Sequence, residues 1–153
     1  MSKKKRFFEK ITFYKNQNIN LPQRQTQKSA GYDLEAAQTL EIKPQTIQLV
    51  PTGIKSYFPE NEVLLIYARS SLPLKKQLMI ANGVGVIDSD YYNNSYNEGH
   101  IFIPLYNFSS QMVKIVKGER IAQGIFQTFF LITNEENPSF LRQGGFGSTT
   151  NKN

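Results

Sequence analysis

The chain contains no cysteine, which excludes a disulfide framework and any thiolate metal site and suits a cytosolic setting. It has one histidine, His100, so no multi-histidine metal cluster can form within a single chain. No apolar run approaches the roughly 20 residues needed to cross a bilayer, and no apolar segment follows the basic N-terminus as a secretory leader would require. A membrane partner is therefore not expected. Long helical periodicity is also missing, which turns attention to strands.

The 153 residues, 39% hydrophobic and 20% charged, describe one ordinary globular domain. A chain of this length buries roughly two thirds of its unfolded surface. The net charge of +6 resembles a nucleic-acid signature until it is located. Residues 1–28 hold eight basic residues against Glu9 alone, a balance of +7, so everything after Lys28 sums to −1. The basic run Lys3–Arg6 reads as a solvated terminus, and a nucleic-acid partner is not expected.

Short strands dominate the pattern. Phe7–Lys15 is predicted as the first strand, followed by a polar loop over Asn16–Ser29. Tyr32–Ala36, Thr39–Ile42, Thr46–Val50 and Ile54–Phe58 follow, separated by turn residues such as Lys43-Pro44-Gln45 and Pro51-Thr52-Gly53. Glu62–Tyr67 is largely apolar and reads as a strand buried on both faces, and Arg69–Lys76 accommodates one helical turn. Ile101–Phe108, Met112–Val116 and Arg120–Ile132 complete the strands. Strands this short, with turns every 8–12 residues, indicate an all-β sandwich or barrel. Beyond Asn134 the composition shifts to Gly, Ser, Thr and Asn, so Pro138–Asn153 reads as a tail that is mobile without ligand.

The stretch Ala81–Tyr92, A-N-G-V-G-V-I-D-S-D-Y-Y, reads as a tight hairpin ending in acidic and aromatic residues. Gly83 and Gly85 bare its backbone, through positive φ or through close approach by another group. Such a backbone beside a carboxylate and a ring could hold a flat polar ligand by its edge. Four other clusters interrupt the framework: Ala30–Leu34, Arg69–Leu72, Gly118–Gln123 and Arg142–Thr149. Arg69, Arg142, Ser70, Ser148 and Thr149 are phosphate-type donors, and Gly144, Gly145 and Gly147 offer backbone N–H groups to phosphate oxygens. Asp33 and Asp88 are hard oxygen groups of the kind that hold Mg²⁺ or orient its waters.

The five clusters, in this order, resemble the motifs of the trimeric dUTPase family, the deoxyuridine 5′-triphosphate nucleotidohydrolases. The pairing of G-V-I-D-S-D-Y with G-G-F-G-S-T is its most specific element, and the resemblance runs from about Phe7 to Thr150. It implies a jelly-roll-like distorted β-barrel over residues 1–137, a flexible glycine-rich lid over residues 138–153, and a homotrimer with shared active sites. The implied substrate is dUTP, cleaved to dUMP and diphosphate, with Mg²⁺ held mainly by the substrate's phosphates and Asp33 orienting its waters. Asn82 and the backbone of Gly83, Val84, Gly85, Val86 and Ile87 would read the uracil edge. Asp88 would activate the attacking water, and Tyr91 would stack under the deoxyribose. Arg69, Ser70, Ser71 and Gln123 would hold phosphates from a second subunit. Arg142, Phe146, Gly147, Ser148 and Thr149 would close from a third, with Phe146 over the uracil ring.

Three features depart from the family's usual pattern. Asn93–Gly99 is an insertion after Tyr91-Tyr92, expected to reshape the rim or the subunit contacts. Arg142 stands one residue nearer the glycine pair than in many relatives, and Thr150 replaces a common glycine. His100 reads as a strand-entry residue. Three readings compete with the hydrolase: a dCTP deaminase-like relative, which would need a glutamate near the base that the hairpin lacks; a phage enzyme with an added regulatory protein partner; and a nucleic-acid-binding barrel, which the charge distribution disfavours.

Overall fold

A computed structural model describes residues 5–138, 140–147 and 149 of the chain. Among the described residues, eleven strands in four separate sheets make an all-β, jelly-roll-like barrel that is distorted and not closed. The largest sheet has the order β2 (Tyr32–Glu35), β11 (Arg120–Thr128), β6 (Glu62–Tyr67), β8 (Gly85–Ile87), with neighbouring strands antiparallel. A second joins β4 (Ile47–Pro51), β9 (Phe102–Asn107) and β7 (Leu78–Ile80). Two-stranded ribbons pair β1 (Phe7–Lys10) with β5 (Ile54–Tyr57) and β3 (Leu40–Ile42) with β10 (Val113–Ile115).

The two-residue side-chain period of strands explains the core. In β9, Ile103, Leu105 and Asn107 are buried while Phe102, Pro104 and Tyr106 are half-buried. In β6, Glu62, Leu64 and Ile66 are buried and their alternates half-buried, so the strand faces the core on one side only, contrary to the two-faced burial read from its composition. Leu64, Ile66, Ile103 and Leu105 join Leu34, Ile42, Val50, Leu78, Ile80, Ile101, Ile115 and Ile121 in one contiguous core. Each such aliphatic side chain contributes roughly 1.5–3 kcal/mol by leaving water. A bulge between Arg120 and Ala122 lets the consecutive residues Ile121 and Ala122 both turn inward.

Other sequence expectations are corrected at particular residues. The first strand stops at Lys10, because Ile11 donates to the Gly53 carbonyl and the chain then turns through Thr12–Tyr14. That turn buries Ile11 and Tyr14 with Ala37 in a small second core. The last strand ends at Thr128, opposite Glu62 where β6 begins, so Phe129–Ile132 have no ladder to join and stay exposed. The helical turn forms as α1 (Ser71–Lys76). Pro73 falls in its first turn, where a missing N–H costs nothing, and Gln77 ends it in a left-handed conformation.

The supposed hairpin at Ala81–Tyr92 is not one. β7 pairs with β9 and β8 pairs with β6, so the intervening turn carries the chain from the three-stranded sheet to the four-stranded one. Gly83 takes φ +76° there, a conformation that favours glycine. Gly85 has a different reason: a Cβ would stand 3.1 Å from Cβ of Ile66, so glycine lets β8 lie close on β6. Among the described residues no helix is long and apolar enough to cross a membrane.

Candidate active site

β8 is an edge strand, so one row of its backbone N–H and C=O groups faces outward, unclaimed by a ladder. Asn82, Gly85, Val86, Ile87 and Asp88 of this segment border a cavity of about 200 Å³. Tyr91, Arg142, Gly145 and Phe146 close the same cavity from the other side. Asp88 precedes a short helical turn over Ser89–Tyr91, which brings the Tyr91 ring beneath the cavity, only 8% exposed. The Tyr91 hydroxyl donates to the His100 carbonyl at 2.6 Å and accepts from Asn97 Nδ2 at 2.9 Å. Burial raises the phenol's pKa, against the opposing effects of Asn97 and the Arg142 charge.

The tail is docked in this arrangement. Arg142 Nη2 donates to Asp88 Oδ2 at 2.6 Å, and its Nε donates to Asp90 Oδ1 at 2.7 Å. Its guanidinium, read from the sequence as a phosphate donor, thus contacts two carboxylates in this arrangement. Gly145 rests on Tyr91, where a Cβ would come within 2.9 Å of Cε2. The Phe146 ring meets Phe102 edge-on at 6.4 Å. Gly83 and Val84 lie exposed on the turn beside the cavity, Gly147 and Thr149 are exposed in the tail, and Ser148 and Thr150 fall outside the described residues.

A second pocket, of about 290 Å³, collects the other polar clusters: Gly31 and Asp33, Arg69 and Ser70, and Gln123. Asp33 pairs across the ladder with Gln123, which pairs in turn with Tyr67. The Asp33 carboxylate is buried to 9% exposure between Arg69 Nε at 3.3 Å and Arg120 Nη1 at 3.5 Å. Gln123 Nε2 donates to the Ala68 carbonyl at 3.1 Å. Ser71 opens α1 and borders neither pocket. The two pockets share no lining residue, the first built on β8 and the turn after it, the second on β2, β11 and the loop after β6. The sequence-predicted residues therefore form two half-sites within one chain.

Three residues that sequence reasoning passed over support the first half-site. Asn94 Nδ2 donates to the Tyr91 carbonyl at 2.7 Å, Asn97 holds the Tyr91 hydroxyl, and Phe102 backs Phe146. The asparagine-rich run was the available signal, but nothing local says which tyrosine it serves. His100 is buried and structural: its Nε2 accepts from the Gly53 N–H at 2.9 Å, and burial lowers its pKa to about 4.

No group of three or more His, Cys, Asp or Glu that could hold a metal occurs among the described residues. Asp33, one carboxylate flanked by arginines, fits the outer coordination of a Mg²⁺ delivered with phosphates, since that ion keeps several waters and binds through few carboxylates.

The scaffold has counterparts. The crystal structure of a dUTPase from Streptococcus mutans superposes with a TM-score of 0.80 at 51% identity, covering 84% of this chain and 99% of that one. A deoxyuridine 5′-triphosphate nucleotidohydrolase of Lactococcus lactis is 53% identical over 94% of this chain and 97% of the relative. A dUTPase of Staphylococcus bacteriophage 80alpha, described as controlling transfer of virulence genes, shares the fold at a TM-score of 0.69 and 22% identity, covering 90% and 99% of the two chains. The architecture is thus the dUTPase-type distorted barrel. The dUTPase family matches residues 17–150, and the chain belongs to that family.

Proposed function

We propose that the chain hydrolyses dUTP to dUMP and diphosphate at sites completed between three copies of itself. The observation carrying this reading is the division of the polar groups. One cavity holds an open strand edge, a ring and Asp88, while cationic and amide donors gather in a separate pocket formed by β2, β11 and the loop that follows β6. A nucleotide needs both sets at once, and a neighbouring copy supplies the second.

The backbone edge of β8 reads the base, with Asn82 beside it. Uracil and cytosine present different donor–acceptor patterns there, and a site built to hydrogen-bond one rejects the other by roughly 10⁴–10⁵. Thymine's extra methyl is refused sterically by the turn, an overpacking cost of about 1–3 kcal/mol. Tyr91, fixed at its hydroxyl from two sides, floors the sugar. Asp88 takes a proton from the water that attacks the α-phosphorus; general-base assistance of this kind contributes about 10²–10⁴-fold. Arg69, Ser70 and Gln123 of a neighbouring copy neutralise and align the phosphates. Mg²⁺, when bound with them, supplies charge neutralisation at the same oxygens. Residues 1–137 act as the barrel and 138–153 as its lid, in a cytoplasmic enzyme that keeps uracil out of DNA and supplies dUMP for dTMP synthesis.

The deaminase alternative loses ground at the cavity itself, where Asp88 is the one carboxylate among the described lining residues and no glutamate is present. The test is diphosphate release from dUTP, dTTP, dCTP and UTP, with and without Mg²⁺. Selective release from dUTP supports the reading; ammonia from dCTP, or equal rates on all four, overturns it.

A further inference from the structure

The insertion Asn93–Gly99 is tied by hydrogen bonds within itself and to residues away from the cavity. Glu98 accepts from the Thr12 N–H and Oγ1, each at 3.1 Å, and Lys55 Nζ donates to Asn93 Oδ1 at 2.6 Å. Inside the loop, Asn94 Oδ1 accepts from the N–H groups of Tyr96 at 3.0 Å and Asn97 at 3.1 Å, which fixes its turns. Two groups then point at the functional elements. Asn97 Nδ2 reaches the Tyr91 hydroxyl at 2.9 Å. The Tyr96 N–H donates to the Gln143 carbonyl at 3.1 Å, and the Tyr96 side chain, in a residue that stays 83% exposed, lies against Gly144 so closely that a Cβ there would stand 3.3 Å from it.

We propose that this insertion is a docking ledge for the tail, with Tyr96 and Asn97 as positioning residues that set how firmly nucleotide is enclosed without taking part in the chemistry. The proposal rests on the hydrolase reading above. A lid segment confined in advance loses less freedom when it closes, so the ledge acts on substrate affinity. Gly144 and Gly145 are what let the tail lie flat, one against Tyr96 and the other against Tyr91. The insertion and the tail thus form one binding surface that neither makes alone.

The test uses the full chain with Tyr96→Ala, Asn97→Asp and, as the conservative control, Tyr96→Phe. Asn97→Asp keeps the acceptor that holds Gly99 while removing the N–H offered to Tyr91. Four quantities are read: kcat and KM for dUTP, the melting temperature, and the rate at which trypsin releases a peptide beginning at Gln143. The tail bond at Arg142 is protected while Gln143 is held. Tyr96→Ala and Asn97→Asp are expected to raise KM by about tenfold, a loss of ~1.4 kcal/mol, with kcat within about twofold and melting temperature unchanged. Tyr96→Ala also speeds cleavage after Arg142, and Tyr96→Phe behaves as wild type in both. Unchanged KM and cleavage rate in folded Tyr96→Ala protein overturns the proposal, as does a fall in kcat at constant KM. A wild-type chain that leaves dUTP intact refutes the hydrolase reading instead, while the cleavage rates still report on the ledge.

Discussion

Arg142 and Asp88 are joined at 2.6 Å, lid guanidinium to barrel carboxylate. The carboxylate assigned to deprotonate water is therefore held by the tail when no phosphate competes for the arginine. Asp88→Asn keeps shape and hydrogen-bonding capacity but removes the base. Turnover is expected to fall by about 10²–10⁴-fold, while a non-hydrolysable dUTP analogue still binds in calorimetry. A variant that turns over at the wild-type rate removes Asp88 from the base role.

His100 provides a pH prediction. Its folded pKa is about 4, below the ordinary 6.5, because burial disfavours the charged ring. Between these values the unfolded chain takes up a proton that the folded chain refuses, so the stabilisation is complete above pH 6.5 and is lost as pH falls toward 4. The interval corresponds to about 3 kcal/mol. As the single histidine, its ring resonance in proton NMR is unambiguous, and a midpoint near 6.5 in the native state would contradict the assignment.

Gly31→Ala probes the phosphate half-site without touching a charge. A Cβ at this position would stand 2.3 Å from Gln123 Oε1, so the glutamine side chain must swing away. The end of a flexible side chain can move, so the fold survives. The expected result is a several-fold rise in KM for dUTP with little loss of melting temperature, and an unchanged KM would take Gln123 out of phosphate binding.

Shared sites make a prediction about mixtures. Asp88→Asn and Arg69→Ala chains are each expected to be nearly inactive alone. Refolded together, random trimers with a heterologous interface regenerate intact sites at roughly a quarter of positions. Recovery to about that fraction of wild-type activity supports completion by a neighbour, and a mixture as inactive as its components refutes it.

What the sequence disclosed followed from local chemistry. The alternating apolar residues of β9, the turn residues around Pro44 and Gly53, and the five polar clusters could all be read directly. What it hid depended on pairings far along the chain. That Gln123 stands between Asp33 and Tyr67, and so brings three of the clusters into one pocket, is decided by β11 inserting between β2 and β6. The false hairpin at Ala81–Tyr92 arose because two glycine-flanked apolar runs give the same pattern whether they pair with each other or with separate sheets. The docking of Arg142 on Asp88 spans more than fifty residues, and no local propensity encodes it.

The open edge of β8 has a further consequence, for solubility. A strand edge left free to read a base is equally free to recruit another strand, the usual route to edge-to-edge polymerisation. Here the hazard is limited by length, since β8 has only three residues, and by the docked tail that borders the same cavity. On the function proposed above, the same tail would serve the protein both with and without nucleotide. Chains shortened before Pro138 are expected to self-associate more readily than full-length ones.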